Sequence, residues 1–114
     1  MNILIIGFGT AGKFYFNILK SFKKKHNIYV VDDLKLPFSK EFKQIQFNSK
    51  ELKKNSIEFA IVSTPSGSHY NYALKLIEKS INVLIEKPFV LNLFEAKNLI
   101  KKSKLKKIKC WVVF

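Results

Sequence analysis

Three glycines near the start of the chain, Gly7, Gly9 and Gly12, follow the apolar residues 3–6 with the spacing GxGxxG. An apolar strand, a glycine-rich loop and a helix in this order form a turn that binds phosphate groups. The first glycine allows the tight bend, the second leaves room for a pyrophosphate, and the third lets the helix pack closely on the strand. Because free N–H groups and the positive dipole end of the helix face the anion, binding needs backbone groups more than charged side chains. We assign the whole loop to a dinucleotide, which adds Phe8, Thr10 and Ala11 to the three glycines.

A pair of acidic residues, Asp32 and Asp33, follows the second apolar run at residues 28–31. Asp32 lies 20 residues beyond Gly12, where a carboxylate accepts hydrogen bonds from the adenosine ribose of a dinucleotide. An ordinary acidic turn or a helix cap is the alternative for this pair. No arginine follows that would receive a 2′-phosphate, so NAD is favoured over NADP, whereas Lys35 could partly substitute and keeps NADP open.

A polar run at residues 63–69, with the sequence STPSGSH, follows the predicted fourth strand. Since ligands bind at the carboxyl ends of parallel strands, we expect this turn beside the cofactor. Pro65 prevents a helix from continuing through the turn. Ser63 and Thr64 either cap the turn or contact the nicotinamide ribose or the phosphates, and both interpretations stay open. For His69, a structural hydrogen bond at the start of the next helix is favoured over a proton shuttle, and the residue is kept as a cofactor-binding candidate.

The tripeptide Glu86-Lys87-Pro88 follows the predicted fifth strand. A glutamate and a lysine at the end of a core strand predict an ion pair, which costs free energy to bury and therefore indicates a function. Lys87 is the catalytic candidate, because an ammonium group can polarise or protonate a substrate oxygen while hydride moves at a nicotinamide. An exposed salt bridge of little energetic value is the alternative.

The hydrophobic periodicity predicts the elements that hold these residues. Strands are expected at residues 2–6, 28–31, 44–47, 59–63, 82–85 and 109–114, and helices at 10–24, 49–54, 68–79 and 92–104. Asn92 and Glu95 predict reciprocal capping at the start of the last helix. Several strands are continuous apolar runs, which is typical of a parallel sheet covered by helices on both faces. The expected fold is α/β, a doubly wound parallel sheet of the Rossmann type with strand order 3-2-1-4-5-6, forming a single domain over residues 1–114.

The positive charge of the chain comes from lysine alone, because 21 lysines and no arginine stand against 8 acidic residues and give a net charge of +13. Proteins that read nucleic acids rely on arginine for bidentate contacts to bases and phosphates, so no nucleic-acid partner is predicted. The lysines collect on the faces and ends of the predicted helices. This distribution indicates a solvated surface, and a functional surface for polyanions is the less favoured alternative.

The single cysteine, Cys110, excludes an internal disulfide and a cysteine-based metal site, and no metal is predicted. Its position in a predicted strand indicates inert packing. No stretch approaches the roughly 18 apolar residues of a membrane span, and the start of the chain has no charged leader. We therefore expect no membrane partner and a cytoplasmic location.

Taken together, GFGTAG at residues 7–12, Asp32, STPSGSH at 63–69 and EKP at 86–88 resemble the N-terminal half of the Gfo/Idh/MocA oxidoreductases, the glucose-fructose oxidoreductase and inositol dehydrogenase group. The resemblance covers essentially the whole chain, and the TP turn followed by EKP is more specific than the glycine motif. It implies a Rossmann domain that binds NAD or NADP, with residues 86–88 beside the nicotinamide and Lys87 matching the catalytic lysine. His69 matches a histidine common in the helix after the TP turn. The implied substrates are sugars, sugar nucleotides, inositols and related polyols, oxidised or reduced at a hydroxyl or carbonyl.

Members of this family continue into a second α/β domain, which forms the substrate pocket and much of the oligomer interface and supplies a further catalytic histidine or aspartate. We expect that the 114 residues do not include that domain and form an oxidoreductase domain that does not turn over substrate alone. A degenerate fragment and a non-catalytic NAD(H)-binding module that works with a partner chain are alternatives. A methyltransferase-like domain that binds S-adenosylmethionine is a third. The apolar residues 111–114 predict self-association or poor solubility, because a second domain would normally cover them.

Overall fold

The strands form one parallel sheet. In the computed structural model, which describes residues 1–113, six strands lie in the order β3-β2-β1-β4-β5-β6, and every neighbouring pair is parallel. Their bounds are β1 (Asn2–Ile6), β2 (Asn27–Val31), β3 (Lys43–Gln44), β4 (Phe59–Val62), β5 (Asn82–Ile85) and β6 (Cys110–Val112). The predicted fold class and strand order are confirmed. The strand order changes direction at β1, since β2 and β3 lie on one side of β1 and β4, β5 and β6 lie on the other. Parallel sheets of this kind bind ligands in the crevice between the two neighbouring strands at which the order changes, here β1 and β4.

Helices connect the strands at the predicted places. Within the described residues they are α1 (Thr10–Ser21), α2 (Ser49–Lys54), α3 (His69–Glu78) and α4 (Leu93–Lys106), and a short 3₁₀ turn, Ser66–Ser68, leads into α3. None of these helices is long and apolar enough to cross a membrane.

The apolar side chains of the strands alternate between the two faces of the sheet, as the pleat requires. On one face, Ile5 and Ile61 pack against Phe16 of α1. On the other face, the strand side chains pack against α2, α3 and α4. Buried members of this second cluster include Leu4, Val62, Val83, Leu52, Leu76 and Leu99. Helices therefore cover the sheet from both sides, in agreement with the predicted doubly wound architecture.

Two helices end two or more residues away from the predicted position. α1 stops at Ser21 instead of residue 24, since Phe22 adopts an extended backbone with φ −70° and ψ 142°. In a longer helix, Lys23 and Lys24 would lie three and four residues after Lys20 on the same face, and this like-charge repulsion disfavours another helical turn. α4 continues beyond residue 104 to Lys106 and ends at Lys107, which has a left-handed φ of 55°.

Two edge strands are shorter than predicted. β3 pairs with β2 over Lys43–Gln44 instead of residues 44–47. β6 pairs with β5 over Cys110–Val112 instead of 109–114, and Phe114 lies outside the described residues. An edge strand has a neighbour on one side, so fewer hydrogen bonds hold its ends.

The capping pair at the start of α4 is formed in part. Asn92 Oδ1 accepts a hydrogen bond from the Glu95 N–H at 2.9 Å, as predicted. The return bond differs, because Glu95 Oε1 accepts from the N–H of Leu91 at 3.3 Å and not from that of Asn92. Glu95 therefore reaches one residue further back than a reciprocal capping box requires.

Candidate cofactor-binding site

The glycine loop joins β1 to α1 at the carboxyl edge of the sheet. Gly7 has φ +92°, a conformation that glycine adopts without strain, and its N–H donates to the Val31 carbonyl oxygen at 2.8 Å. A Cβ at Gly12 would lie 2.0 Å from the Gly7 carbonyl oxygen, so helix and loop are in direct backbone contact. A Cβ at Gly9 would meet nothing within 4 Å. The three glycines thus have the geometries of a tight turn, an open space and a close packing contact.

The first turn of α1 presents free backbone donors. Gly9 is the N-cap residue, no side chain caps the helix, and the first turn has no acidic residue. The first helical hydrogen bond runs from the Lys13 N–H to the Gly9 carbonyl oxygen at 2.9 Å. The N–H groups of Thr10, Ala11 and Gly12 therefore have no partner inside the helix. Together with the helix dipole, this arrangement favours an anion beside Gly9.

Asp32, at the end of β2, is tied to the glycine loop. Its Oδ2 accepts a hydrogen bond from the Phe8 N–H at 2.7 Å, and its Oδ1 accepts from the Leu34 N–H at 2.9 Å. The carboxylate therefore holds the loop in place, a role that the sequence did not indicate. Each oxygen keeps a further acceptor position for a ligand hydroxyl. Asp33 is exposed, and its carboxylate faces solvent next to this anchored group.

A cleft of about 550 Å³ opens between the glycine loop, the end of β2 and the turn after β4. Its lining residues are Ile6, Gly7, Phe8, Gly9, Val31, Asp32, Asp33, Ser63, Thr64, Pro65, Ser68 and Tyr72. Eight of the fifteen predicted site residues are in this lining. The others are Thr10, Ala11, Gly12, His69, Glu86, Lys87 and Pro88, and they lie outside it.

Tyr72 of α3 is a cleft residue that the sequence did not reveal. Its ring lies edge-on to Phe47, with the ring centroids 4.9 Å apart. The pKa of Tyr72 is raised from 10.0, first by burial and then by the negative charges of Asp33 and Asp32. The phenol of Tyr72 therefore lies near both carboxylates. A tyrosine within a helix has no local sequence signal for such a position, because only the packing of α3 on the sheet determines it.

The turn after β4 uses its hydroxyl groups internally. Ser63 Oγ donates to the Gly7 carbonyl oxygen at 2.8 Å and lies 3.0 Å from that of Ile6. Ser68 Oγ lies 2.7 Å from Thr64 Oγ1 and 2.8 Å from the Pro65 carbonyl oxygen. The hydroxyl of Ser63 therefore joins the turn to the glycine loop. This contact corresponds to the capping interpretation of Ser63.

His69 lies beneath the site and is 1% exposed. Its Nδ1 is 2.8 Å from the Pro88 carbonyl oxygen, and its Nε2 is 2.7 Å from that of Thr64. A neutral imidazole donates to one of these oxygens and an imidazolium donates to both. The ring thus joins the turn after β4 to the segment after β5. This is the structural hydrogen bond favoured from the sequence.

The ion pair predicted between Glu86 and Lys87 is wrong. Glu86 instead accepts a hydrogen bond from the hydroxyl of Tyr15 in α1, and Lys87 is exposed and forms no salt bridge among residues 1–113. Successive side chains of an extended backbone point to opposite faces. Glu86 therefore turns to the α1 side of the sheet, where Leu84 packs, and Lys87 turns away from it. The Lys87–Pro88 peptide bond is cis.

Inert packing was expected for Cys110. Burial raises the pKa of the Cys110 thiol from 9.0 to about 11, so the reactive thiolate is scarce at neutral pH. In the part of the chain that the structure describes, no group of three or more His, Cys, Asp or Glu residues is arranged to hold a metal ion.

The parallel sheet, the glycine turn and the acidic end of β2 define a dinucleotide-binding domain of the Rossmann type. Over residues 1–114 the chain matches the model of the Gfo/Idh/MocA oxidoreductase family, whose description is an oxidoreductase family with an NAD-binding Rossmann fold. The chain belongs to this family, and it is an NAD-binding oxidoreductase domain by that membership.

Individual proteins agree with this assignment. Oxidoreductase P35 from Formosa agariphila is 39% identical over 66 residues, which are 57% of this chain and 21% of that protein. The uncharacterized oxidoreductase YhhX from Escherichia coli is 35% identical over 68 residues, 57% of this chain and 20% of that protein. The crystal structure of the WlbA dehydrogenase from Chromobacterium violaceum, in complex with NADH and UDP-GlcNAcA, superposes with a TM-score of 0.87 at 20% identity.

These relatives are much longer than the matched region. The matched region spans about a fifth of the length of the curated relatives. The WlbA superposition covers 99% of this chain and 34% of that protein. At 20% identity, the likeness to WlbA shows the fold.

Proposed function

We propose that the cleft binds NAD, with the pyrophosphate against Gly9 and the open N-terminus of α1. The observation that carries this proposal is the combination of free space at Gly9, where a Cβ would meet nothing within 4 Å, with an uncapped helix end. Space alone would suit any ligand. Space beside unpaired N–H donors and a positive dipole suits a phosphate.

The adenosine ribose lies, in this proposal, at Asp32 and Asp33. Asp32 is fixed by two backbone N–H groups, so its remaining acceptor positions are preorganised for ribose hydroxyls. A 2′-phosphate at the same place would meet two carboxylates. Lys35, three residues after Asp32, is exposed, and an exposed ammonium group compensates little of that repulsion. The charge balance therefore favours NAD over NADP.

The reaction of the whole protein is proposed to be hydride transfer to or from a sugar, sugar nucleotide or polyol. Bound nicotinamide supplies or accepts the hydride. Lys87 supports this proposal through its position after β5, its exposure and its freedom from salt bridges among residues 1–113. Its ammonium group is available to polarise a substrate oxygen or to give it a proton. The complex of WlbA with a nucleotide sugar supports the same substrate class. Parts of the protein beyond this chain would complete the substrate pocket.

Calorimetric titrations of the 114-residue chain with NADH, NADPH and S-adenosylmethionine test the proposed ligand. We expect NADH to bind more tightly than NADPH, S-adenosylmethionine not to compete with NADH, and Asp32→Ala to weaken NADH binding. Asp32→Ala also removes the anchor of the glycine loop, so Asp33→Ala is the matched variant that removes a carboxylate without changing that anchor. Tighter binding of S-adenosylmethionine, or of NADPH, would contradict the proposal.

A further inference from the structure

The segment 86–88 is held from both faces of the sheet. On one side, the hydroxyl of Tyr15 in α1 donates a hydrogen bond to the Glu86 carboxylate. On the other side, Nδ1 of His69 at the start of α3 lies 2.8 Å from the carbonyl oxygen of Pro88. Lys87 is the residue between these two anchored neighbours. Its backbone position therefore depends on contacts that α1 and α3 make with its two neighbours.

Tyr15 connects this segment to the glycine loop. It lies in the second turn of α1, three residues after Gly12, whose Cα is packed against the Gly7 carbonyl oxygen. A displacement of α1 would thus move both the N-terminal amides of the helix and the hydroxyl that holds Glu86. The contact with Glu86 bridges 71 residues of sequence, so it joins two separate parts of the site and not two neighbours in the chain.

The hydrogen bond between Tyr15 and Glu86 keeps its donor over a wide pH range. The pKa of Tyr15 is raised to about 12, first by burial and then by the hydrogen bond to Glu86. The phenol therefore stays protonated and remains a donor throughout the physiological pH range. Glu86 forms no salt bridge among residues 1–113, so Tyr15 supplies the hydrogen bond that its half-buried carboxylate requires.

We propose that Tyr15 is a positioning residue that holds Glu86 and so fixes Lys87 relative to the phosphate-binding turn, at the nicotinamide end of the cofactor. This inference rests on the proposed function. A positioning role of Tyr15 differs from a merely structural role in the ligand affinity that it affects. Loss of the hydroxyl should affect the nicotinamide half of the ligand and leave the adenosine diphosphate half bound as before.

The test compares NADH with ADP-ribose, which has the same adenosine, pyrophosphate and second ribose but no nicotinamide. Both affinities are measured by calorimetry for the unmodified chain, Tyr15→Phe, Glu86→Gln and the double variant. Tyr70→Phe is the matched control, because it removes another tyrosine hydroxyl that joins two elements, here through a 2.6 Å hydrogen bond from Asn98 Nδ2. Thermal unfolding of each variant shows whether it is folded.

We expect Tyr15→Phe to weaken NADH binding about fivefold, the size of one lost hydrogen bond to a charged group acting indirectly, and to change ADP-ribose binding less than about twofold. The double variant should bind NADH no more weakly than the more affected single variant, since the two side chains act through one contact. Tyr70→Phe should change neither affinity.

Two results would overturn the inference while the proposed function stands. One is an equal loss of both ligands in Tyr15→Phe, and the other is unchanged NADH binding in that variant. If the unmodified chain binds neither ligand, the proposed function is wrong and the positioning role is wrong with it.

Discussion

Substituting alanine at Gly9 or at Gly12 separates ligand binding from folding. At Gly9 the new methyl group would meet no protein atom within 4 Å, and φ is −82°, which alanine tolerates. Alanine is a poorer N-cap than glycine, but it lowers the entropy of the unfolded chain, so the free energy of unfolding should change by less than about 1 kcal/mol. The same methyl group would occupy the space assigned to the pyrophosphate.

The expected loss of NADH affinity in Gly9→Ala follows from that overlap. Forcing one methyl group into a close contact costs about 1–3 kcal/mol, which corresponds to a dissociation constant raised roughly 5- to 150-fold. Gly12→Ala should behave in the opposite way. Its Cβ would lie 2.0 Å from the Gly7 carbonyl oxygen and 3.2 Å from Ser63 Oγ, so the backbone must move. We expect the free energy of unfolding to fall by about 2–3 kcal/mol, because the clash outweighs the better helix propensity of alanine.

Urea unfolding and NADH titration of both variants provide the measurement. Unchanged NADH binding in a stable Gly9→Ala variant would refute the placement of the pyrophosphate. An undiminished stability in Gly12→Ala would refute the close packing of α1 on the glycine loop.

Three further variants test the charge of Asp33, the hydrogen bonds of His69 and the burial of the Cys110 thiol. Asp33→Asn should lower the preference for NADH over NADPH about threefold, since one of two carboxylates facing the 2′ position loses its charge; an unchanged ratio of the two dissociation constants would contradict this. His69→Phe should lower the free energy of unfolding in urea by about 1–3 kcal/mol, because at least one of the two carbonyl oxygens now within 2.8 Å of the ring nitrogens loses its hydrogen-bond donor. A loss below about 1 kcal/mol would argue against this contact. Burial raises the pKa of the Cys110 thiol from 9.0 to about 11, so the contribution of the protonated thiol to stability is present below pH 9 and is lost as the pH rises toward 11. Cys110→Ala should therefore reduce the fall in the free energy of unfolding between pH 9 and pH 11. An identical fall in the variant and the unmodified chain would contradict the effect of burial.

Local patterns were sufficient to predict the fold. The apolar runs before Gly7 and after Asn27 fix two central strands, and their continuous character distinguishes a parallel sheet from an alternating antiparallel one. The bounds of β1, β5 and α2 agree with the prediction. The ends of α1 and β3 did not follow from pattern, because a repelling lysine run and a one-sided edge strand act beyond the local hydrophobic period.

The sequence predicted those parts of the candidate site that carry a local motif. The glycine spacing and the position of Asp32 carry local signals, and both are at the cleft. The contacts of Tyr15 with Glu86 and of His69 with Pro88 join residues 71 and 19 positions apart, and no local pattern specifies such partners. The same reason explains the incorrect Glu86–Lys87 ion pair, since adjacency in sequence places these two side chains on opposite faces.

The most direct test of the central claim is a backbone amide NMR titration of the 114-residue chain with NADH. The account predicts that the largest chemical-shift changes occur at the amides of Thr10, Ala11 and Gly12, with further changes around Asp32 and Thr64. If the largest changes occurred instead at the lysine-rich residues 101–107, binding would reflect attraction to surface charge, and the assignment of the pyrophosphate to the start of α1 would be contradicted.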